Sequence, residues 1–324
     1  MTKPKVFLTR KWPQKAEEAL GEIFDVTFNK NDTRLSKIEI AKAFAVHDAI
    51  APTFGDNIDK SVIEFGFNGQ GKIISNFGVG VDHIDIETCK TLNIPVTNTP
   101  DVLTDATAEI AILLMLMVAR RALEGEKEIR ENVWPGWHPT HLMGSLMNGK
   151  TLGIIGLGRI GQEVARKAFH AFKMRIVFYN RSIIKKNLGF PIKQVSSVLD
   201  VCRESDFVSI HCPGGKETLN IINAEAIANM KKSSFIVNTA RGDVLDEDAL
   251  SHALSKGLIA GVGLDVYKGE PIVNKKLVKA PNTVLLPHMG SATLETRNAM
   301  GNRVLDNLKQ FFDNEKPTDQ IYVS

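Results

Sequence analysis

Residues 156–161 read Gly156-Leu157-Gly158-Arg159-Ile160-Gly161 and follow directly on the apolar run Leu152-Gly153-Ile154-Ile155. A strand that enters a tight Gly-x-Gly turn and then a helix offers unpaired backbone N–H groups, and the positive end of the helix, to an anion. This is the cradle that holds a dinucleotide pyrophosphate. The following residues agree: helix formers run over 162–172, with Val164, Ala165, Ala168 and Phe169 spaced to face a sheet, and 174–179 reads as the next strand.

The end of that second strand bears on which dinucleotide is expected. Roughly 20 residues past the glycines, an NAD site usually carries Asp or Glu, which accepts hydrogen bonds from the ribose hydroxyls. Here the chain reads Tyr179-Asn180-Arg181-Ser182, without a carboxylate. A guanidinium and a hydroxyl suit a 2′-phosphate instead, and Lys185 and Lys186 add positive charge. NADP(H) is the expected cofactor, with NAD(H) the alternative.

On the N-terminal side of the motif, residues 6–8, 25–28, 49–51, 73–75 and 94–97 are short strand candidates, separated by helical stretches such as 14–23 and 35–44. On the C-terminal side strand candidates recur at 207–210, 235–238, 262–265 and 284–286. Alternation of this kind predicts an α/β protein with two doubly wound parallel sheets. The expected domains are a flavodoxin-like substrate domain of residues 1–100 and 290–324 and an inserted Rossmann cofactor domain of residues 101–289. The last helix candidate, 292–312, would return to the first domain. Between the halves, 105–121 reads as a helix that is apolar nearly all round from Ile110 to Ala119 and must be buried on several sides. A crossing helix with few neighbours in its own chain is expected to line a subunit interface, with burial inside one large domain as the alternative.

Composition excludes more than it selects. A chain of 324 residues suffices for about two domains. The net charge of +3 is slight and the basic residues are scattered, which argues against a nucleic-acid stripe or a membrane-binding face. Cys89, Cys202 and Cys212 lack metal-ligand spacing and fit a reducing compartment, so no metal is expected. Residues 1–5 lead straight into a strand candidate, so no signal peptide is expected, and the longest apolar run is too short to span a bilayer. A cytoplasmic location is expected.

Several segments together resemble the D-isomer-specific 2-hydroxyacid dehydrogenases over essentially the whole chain, and the glyoxylate/hydroxypyruvate reductases most. Beyond the glycine motif they are Asn76-Phe77-Gly78-Val79-Gly80-Val81-Asp82-His83-Ile84-Asp85, the run from Asn98-Thr99-Pro100 to Ala108-Glu109, Asn238-Thr239-Ala240-Arg241-Gly242, Gly263-Leu264-Asp265-Val266-Tyr267 through Glu270-Pro271, and Pro287-His288-Met289-Gly290-Ser291-Ala292. The resemblance implies reduction of a small 2-oxo acid to the D-2-hydroxy acid, with Arg241, Glu270 and His288 as the catalytic set.

Each of these side chains suits such a reaction. A hydride goes to the carbonyl carbon and a proton to its oxygen, so the site needs an acid that works near neutral pH, and His288 matches it. Glu270 would hold its imidazole in one tautomer. Arg241 offers a rigid fork that binds a carboxylate and polarises the ketone as negative charge develops. By the same resemblance Val79 and Gly80 lie in a loop whose N–H groups bind the substrate carboxylate, an anion nest in which glycine is expected to supply special φ angles. Ser291 matches a hydroxyl that contacts substrate. Thr104, Cys212, Pro213, Thr239, Asp265 and Gly290 match positions around the cofactor. Trp137, in Trp134-Pro135-Gly136-Trp137-His138-Pro139, matches a tryptophan that reaches the neighbouring subunit's site, so a homodimer built through 105–121 and 130–145 is implied.

Departures from relatives narrow the field. Glu270 stands where formate dehydrogenases carry an amide, which argues against formate, and a regulatory extension of the kind seen in many phosphoglycerate dehydrogenases is not expected. A 2-ketogluconate or broad 2-keto-acid reductase would share these motifs, since specificity is set by loops around Thr53-Phe54, Val79 and Trp137. A cofactor-sensing binding protein, like the family's corepressors, would need partner-binding tails that are not evident here.

Overall fold

The computed structural model describes residues 2–184 and 187–322. In chain order the elements are β1 (Lys5–Leu8), α1 (Gln14–Ile23), β2 (Asp25–Thr27), α2 (Lys37–Val46), β3 (Ala49–Ala51), α3 (Lys60–Phe67), β4 (Ile73–Ser75), α4 (Ile86–Thr91), β5 (Val96–Thr97), α5 (Thr104–Ala119), α6 (Ala122–Arg130), β6 (Thr151–Ile155) and α7 (Arg159–Phe172). There follow β7 (Arg175–Tyr179), β8 (Ile192–Gln194), α8 (Val198–Glu204), β9 (Phe207–Ile210), α9 (Ala224–Ala228), β10 (Phe235–Asn238), α10 (Glu247–Ser255), β11 (Gly261–Leu264), α11 (Lys275–Lys279), β12 (Thr283–Leu285) and α12 (Leu294–Phe312). The chain divides into two compact units, Met1–Leu103 with Ser291–Ser324, and Thr104–Gly290.

The first unit holds a parallel five-stranded sheet in the order β2-β1-β3-β4-β5, the flavodoxin-like winding. Alternation along the strands separates two cores. Ile50 and Ile74 pack with Ile40, Phe44 and Ile63 of α2 and α3 on one face, while Ala49, Ala51 and Ile73 pack with Leu20 of α1 and Val304 and Leu308 of α12 on the other. The helix at the chain's end thus completes the layer begun at its start; Gly301 lets it approach Ala16, whose Cβ would lie 2.4 Å from an added methyl. Helix starts are marked locally, as by Ser36, whose hydroxyl accepts from the Glu39 N–H while the Glu39 carboxylate accepts from Ser36.

The second unit holds a parallel seven-stranded sheet in the order β12-β11-β10-β9-β6-β7-β8. Counted from β6, this is the doubly wound dinucleotide-binding order, whose direction of winding reverses between β6 and β9. β6, β9, β10 and β11 are buried along their whole length, as strands covered by helices on both faces must be. Among the described residues no helix is long and apolar enough to cross a membrane.

Two expectations need correction. The 105–121 helix ends at Ala119, because Arg121 takes a left-handed φ of 53° and a new helix, α6, starts behind it. Its apolar surface is also not short of neighbours in its own chain: Ala108, Ala111, Leu114, Met115 and Val118 of α5 belong to the core formed with α7 and the sheet. The all-round apolarity is thus met largely inside the unit, with Leu113 left exposed. The short edge strand β8 carries the polar sequence Ile192-Lys193-Gln194 and has no apolar period to mark it.

Candidate active site

In the second unit the residues that the sequence singled out gather at one edge of the sheet, the carboxyl ends of β6, β7, β9, β10, β11 and β12. The glycine motif sits at the winding reversal, and its three glycines have separate reasons. Gly156 has φ 91°, and a Cβ there would meet the backbone of Cys212, behind β9, at 2.6 Å. Gly158 has nothing within 4 Å of where a Cβ would stand, so its backbone is open to a ligand. A Cβ on Gly161 would strike the Gly156 carbonyl oxygen at 2.3 Å, so this glycine lets α7 pack close to its strand. No side chain caps α7 and no acidic residue lies in its first turn. An uncapped helix start with an open glycine before it fits a pyrophosphate.

Next along the edge, Asn180 accepts a hydrogen bond from the Leu157 N–H at 3.3 Å and donates to the Ser182 hydroxyl at 3.3 Å, tying the end of β7 to the glycine turn. Gln194 of β8 donates to the Ser182 carbonyl at 3.1 Å. Arg181 projects outward, its side chain 83% exposed, and is ion-paired with Glu217 from the loop after β9. Sequence reading missed Glu217, since nothing local marks a carboxylate as the partner of an arginine 36 residues away. Lys185 and Lys186 lie outside the described residues.

At the end of β9, His211 shares hydrogen bonds with the hydroxyls of Ser209 (2.8 Å) and Thr239 (3.5 Å), and desolvation pushes its pKa down to about 3. The ring is therefore neutral and joins the ends of β9 and β10. Burial likewise pushes the Cys212 thiol up to about 11, leaving it uncharged beside Pro213. Behind β10, Asn238 donates to the Arg241 carbonyl at 2.7 Å, and Gly242 lies so close to Tyr267 that a Cβ would collide with its backbone at 1.9 Å. These contacts set where the Arg241 side chain leaves the main chain.

The ends of β11 and β12 carry the rest. His288 has a left-handed φ of 55°, uncommon for a residue with a Cβ. Its N–H donates to the Asp265 carbonyl at 2.9 Å, and the buried Asp265 carboxylate accepts from the N–H groups of Met289 (2.6 Å) and Gly290 (2.8 Å). Burial raises the Asp265 pKa, and those two N–H groups and the nearby imidazole oppose the rise. The His288 Nδ1–H donates to Glu270 Oε2 at 2.8 Å, while Glu270 Oε1 accepts from the Tyr267 N–H at 2.9 Å. The Tyr267 hydroxyl in turn donates to the Leu286 carbonyl at 2.7 Å. Glu270 and His288 thus form one hydrogen-bonded pair, Asp265 supports the turn beneath it, and Arg241 stands behind the adjacent strand. Thr104 begins α5, and Thr107 one turn later donates to the Gly290 carbonyl at 3.2 Å.

In the first unit, Val79 and Gly80 follow β4 at the carboxyl edge of that sheet, and Ser291 shortly precedes α12. The expected reason for the glycines is wrong: neither Gly78 nor Gly80 is among the residues with positive φ. A Cβ on Gly78 would instead come to 3.3 Å from the Asn76 side-chain amide, a tight contact. Trp137, in the second unit, is 83% exposed, and Ile129, Val133, Trp134, Met143 and Leu146 near it in sequence are exposed as well.

Residues 112–290 match the family model for the D-isomer specific 2-hydroxyacid dehydrogenase NAD-binding domain. The chain is 41% identical to a glyoxylate reductase of Pyrococcus horikoshii over 97% of its own length and 95% of the relative's. It is 43% identical to a glyoxylate reductase of Thermococcus kodakarensis, again over 97% and 95%. Among solved structures, the NADPH-dependent glyoxylate/hydroxypyruvate reductase of Sinorhizobium meliloti in complex with NADP and malonate superposes with a TM-score of 0.88 at 32% identity, covering 99% of this chain and 97% of that one.

Proposed function

Since this chain belongs to the D-isomer-specific 2-hydroxyacid dehydrogenase family and is an NAD(P)-dependent oxidoreductase, we propose that it reduces glyoxylate or hydroxypyruvate to the D-2-hydroxy acid with NADPH. The observation that carries the reading is the 2.8 Å bond from His288 Nδ1 to Glu270, made on a backbone turn that Asp265 holds. With Nδ1 committed to the carboxylate, Nε2 is the ring atom that delivers the proton to the carbonyl oxygen. Arg241 grips the substrate carboxylate and stabilises the charge that builds on that oxygen. Val79 and Gly80 hold the carboxylate through their N–H groups, and Ser291 and the partner-facing Trp137 complete the substrate contacts.

The cofactor supplies the hydride. Its pyrophosphate is held by residues 156–161, its adenosine end by Asn180, Arg181 and Ser182, and its nicotinamide end by Thr104, Cys212, Pro213, Thr239, Asp265 and Gly290. The preference for NADPH is supported by the exposed guanidinium of Arg181 and the absence of a carboxylate at the end of β7. On this reading the Thr104–Gly290 unit is the cofactor domain and the other the substrate domain. The exposed apolar residues between Leu113 and Leu146 support a homodimer.

Steady-state kcat/KM for NADPH and NADH against glyoxylate, hydroxypyruvate, pyruvate and 2-ketogluconate tests the proposal. Highest values for NADPH with glyoxylate or hydroxypyruvate are expected. A preference for NADH would overturn the cofactor assignment, and a preference for 2-ketogluconate the substrate assignment.

A further inference from the structure

We infer that Asn76 and Asn98 are positioning residues that aim the Val79 and Gly80 N–H groups at the substrate carboxylate, doing by side-chain amides what the loop's glycines do not do by φ. The inference rests on the proposed reading of this loop as the carboxylate holder.

Three consecutive carbonyls of the loop are taken. The Asn76 Nδ2 amide donates to the carbonyls of Gly78 (2.9 Å) and Gly80 (3.0 Å), and the Asn98 Nδ2 amide donates to that of Val79 (2.8 Å). The Thr99 N–H adds a second bond to the Gly78 carbonyl at 3.1 Å. In a planar trans peptide the oxygen and the hydrogen point to opposite sides. Holding the Gly78 carbonyl therefore aims the Val79 N–H the other way, and holding the Val79 carbonyl does the same for the Gly80 N–H. Neither N–H has a hydrogen-bond partner among the described residues, and both residues are only half-buried, so the pair is presented for a ligand.

Asn76 is built for this task. It is fully buried, and its main chain is held by the bond from its N–H to the Thr97 carbonyl at 2.8 Å. Its side-chain oxygen accepts from His83 Nε2 at 3.0 Å, which orients the amide so that both amide hydrogens face the loop. The missing Cβ of Gly78 leaves room for that amide at 3.3 Å. An aspartate would fit the same space, but its oxygens would face carbonyl oxygens. An alanine would leave the carbonyls unheld.

The test compares wild type, Asn76→Asp and the milder Asn98→Ala, which releases only the Val79 carbonyl and covers the case in which Asn76→Asp does not fold. Oxalate binding with NADPH or NADH present, the KM for glyoxylate, the dissociation constant of NADPH and the melting temperature are measured. The inference expects oxalate affinity to fall and glyoxylate KM to rise about tenfold for Asn76→Asp and less for Asn98→Ala, with NADPH affinity within about twofold of wild type. Unchanged oxalate affinity in folded variants overturns it while leaving the proposed function standing. A wild type that binds oxalate but reduces no 2-oxo acid, with the variants weakened, upholds the inference and overturns the function. A wild type that binds no oxalate overturns the inference.

Discussion

Asp265 and His288 are joined through their main chains, the His288 N–H donating to the Asp265 carbonyl at 2.9 Å, while the Asp265 carboxylate takes the next two N–H groups along the chain. One aspartate thus closes the turn that places the imidazole in a left-handed conformation which few residues with a Cβ adopt. Asp265→Ala removes the carboxylate and frees that turn. The expected result is a drop in kcat of about a hundredfold with a smaller change in NADPH affinity, since a small misplacement of a reacting group has that order of cost. Stopped-flow single-turnover rates would measure it, and a full-rate variant would show that the turn holds itself.

His288→Gln should lower kcat by about 10²–10⁴-fold, the range for losing a general acid. Glu270→Gln should also lower it, because a neutral amide removes the negative charge that stabilises the imidazolium acting as the acid. NADPH binding, followed by fluorescence, should survive both changes. Loss of cofactor binding would mean that the pair is structural.

If Arg181 holds a 2′-phosphate, as proposed, Glu217 competes with that phosphate for the guanidinium it is ion-paired to. Glu217→Gln should lower the KM for NADPH, by about fivefold at most since exposed pairs are weak, and leave that for NADH unchanged. Arg181→Ala should raise the KM for NADPH alone. Equal shifts for both cofactors would remove Arg181 from the phosphate site.

His211 links pH to stability. In the folded chain it takes a proton only near pH 3, whereas in the unfolded chain it does so near its ordinary value of 6.5. Between these values the unfolded state binds more protons, so the contribution of His211 is full above pH 6.5 and is lost as pH falls toward 3. Urea midpoints measured from pH 7 to 4 should fall less steeply for His211→Gln than for wild type. Parallel slopes would contradict the neutral buried ring.

Trp137 is 83% exposed within its own chain. If a partner copy uses it, Trp137→Ala should raise the KM for hydroxypyruvate severalfold while leaving NADPH affinity alone. Unchanged kinetics would remove Trp137 from the site.

Much of this protein could be read along the chain. The glycine turn, the strand runs and the helix caps depend on residues within a few positions of one another, because backbone conformation and periodic burial are local properties. That is why both doubly wound sheets were legible, and why His288, Glu270 and Arg241 could be picked out by motif. The contacts between distant residues could not: Asp265 was legible as a match to a cofactor position, not as the carboxylate that takes the Met289 N–H 24 residues on, and Glu217 lies 36 residues from its partner Arg181. The three-residue β8 had too few apolar positions to show a period, and the sequence of α5 does not tell that α7 and the sheet of its own unit cover most of its apolar surface. Gly78 shows the division within a single residue. The sequence by itself determined that a glycine stands there, at the end of a strand and before a helix, but only the tertiary structure decided what a side chain there would meet: the buried Asn76 amide, folded back on the loop, 3.3 Å from where a Cβ would stand.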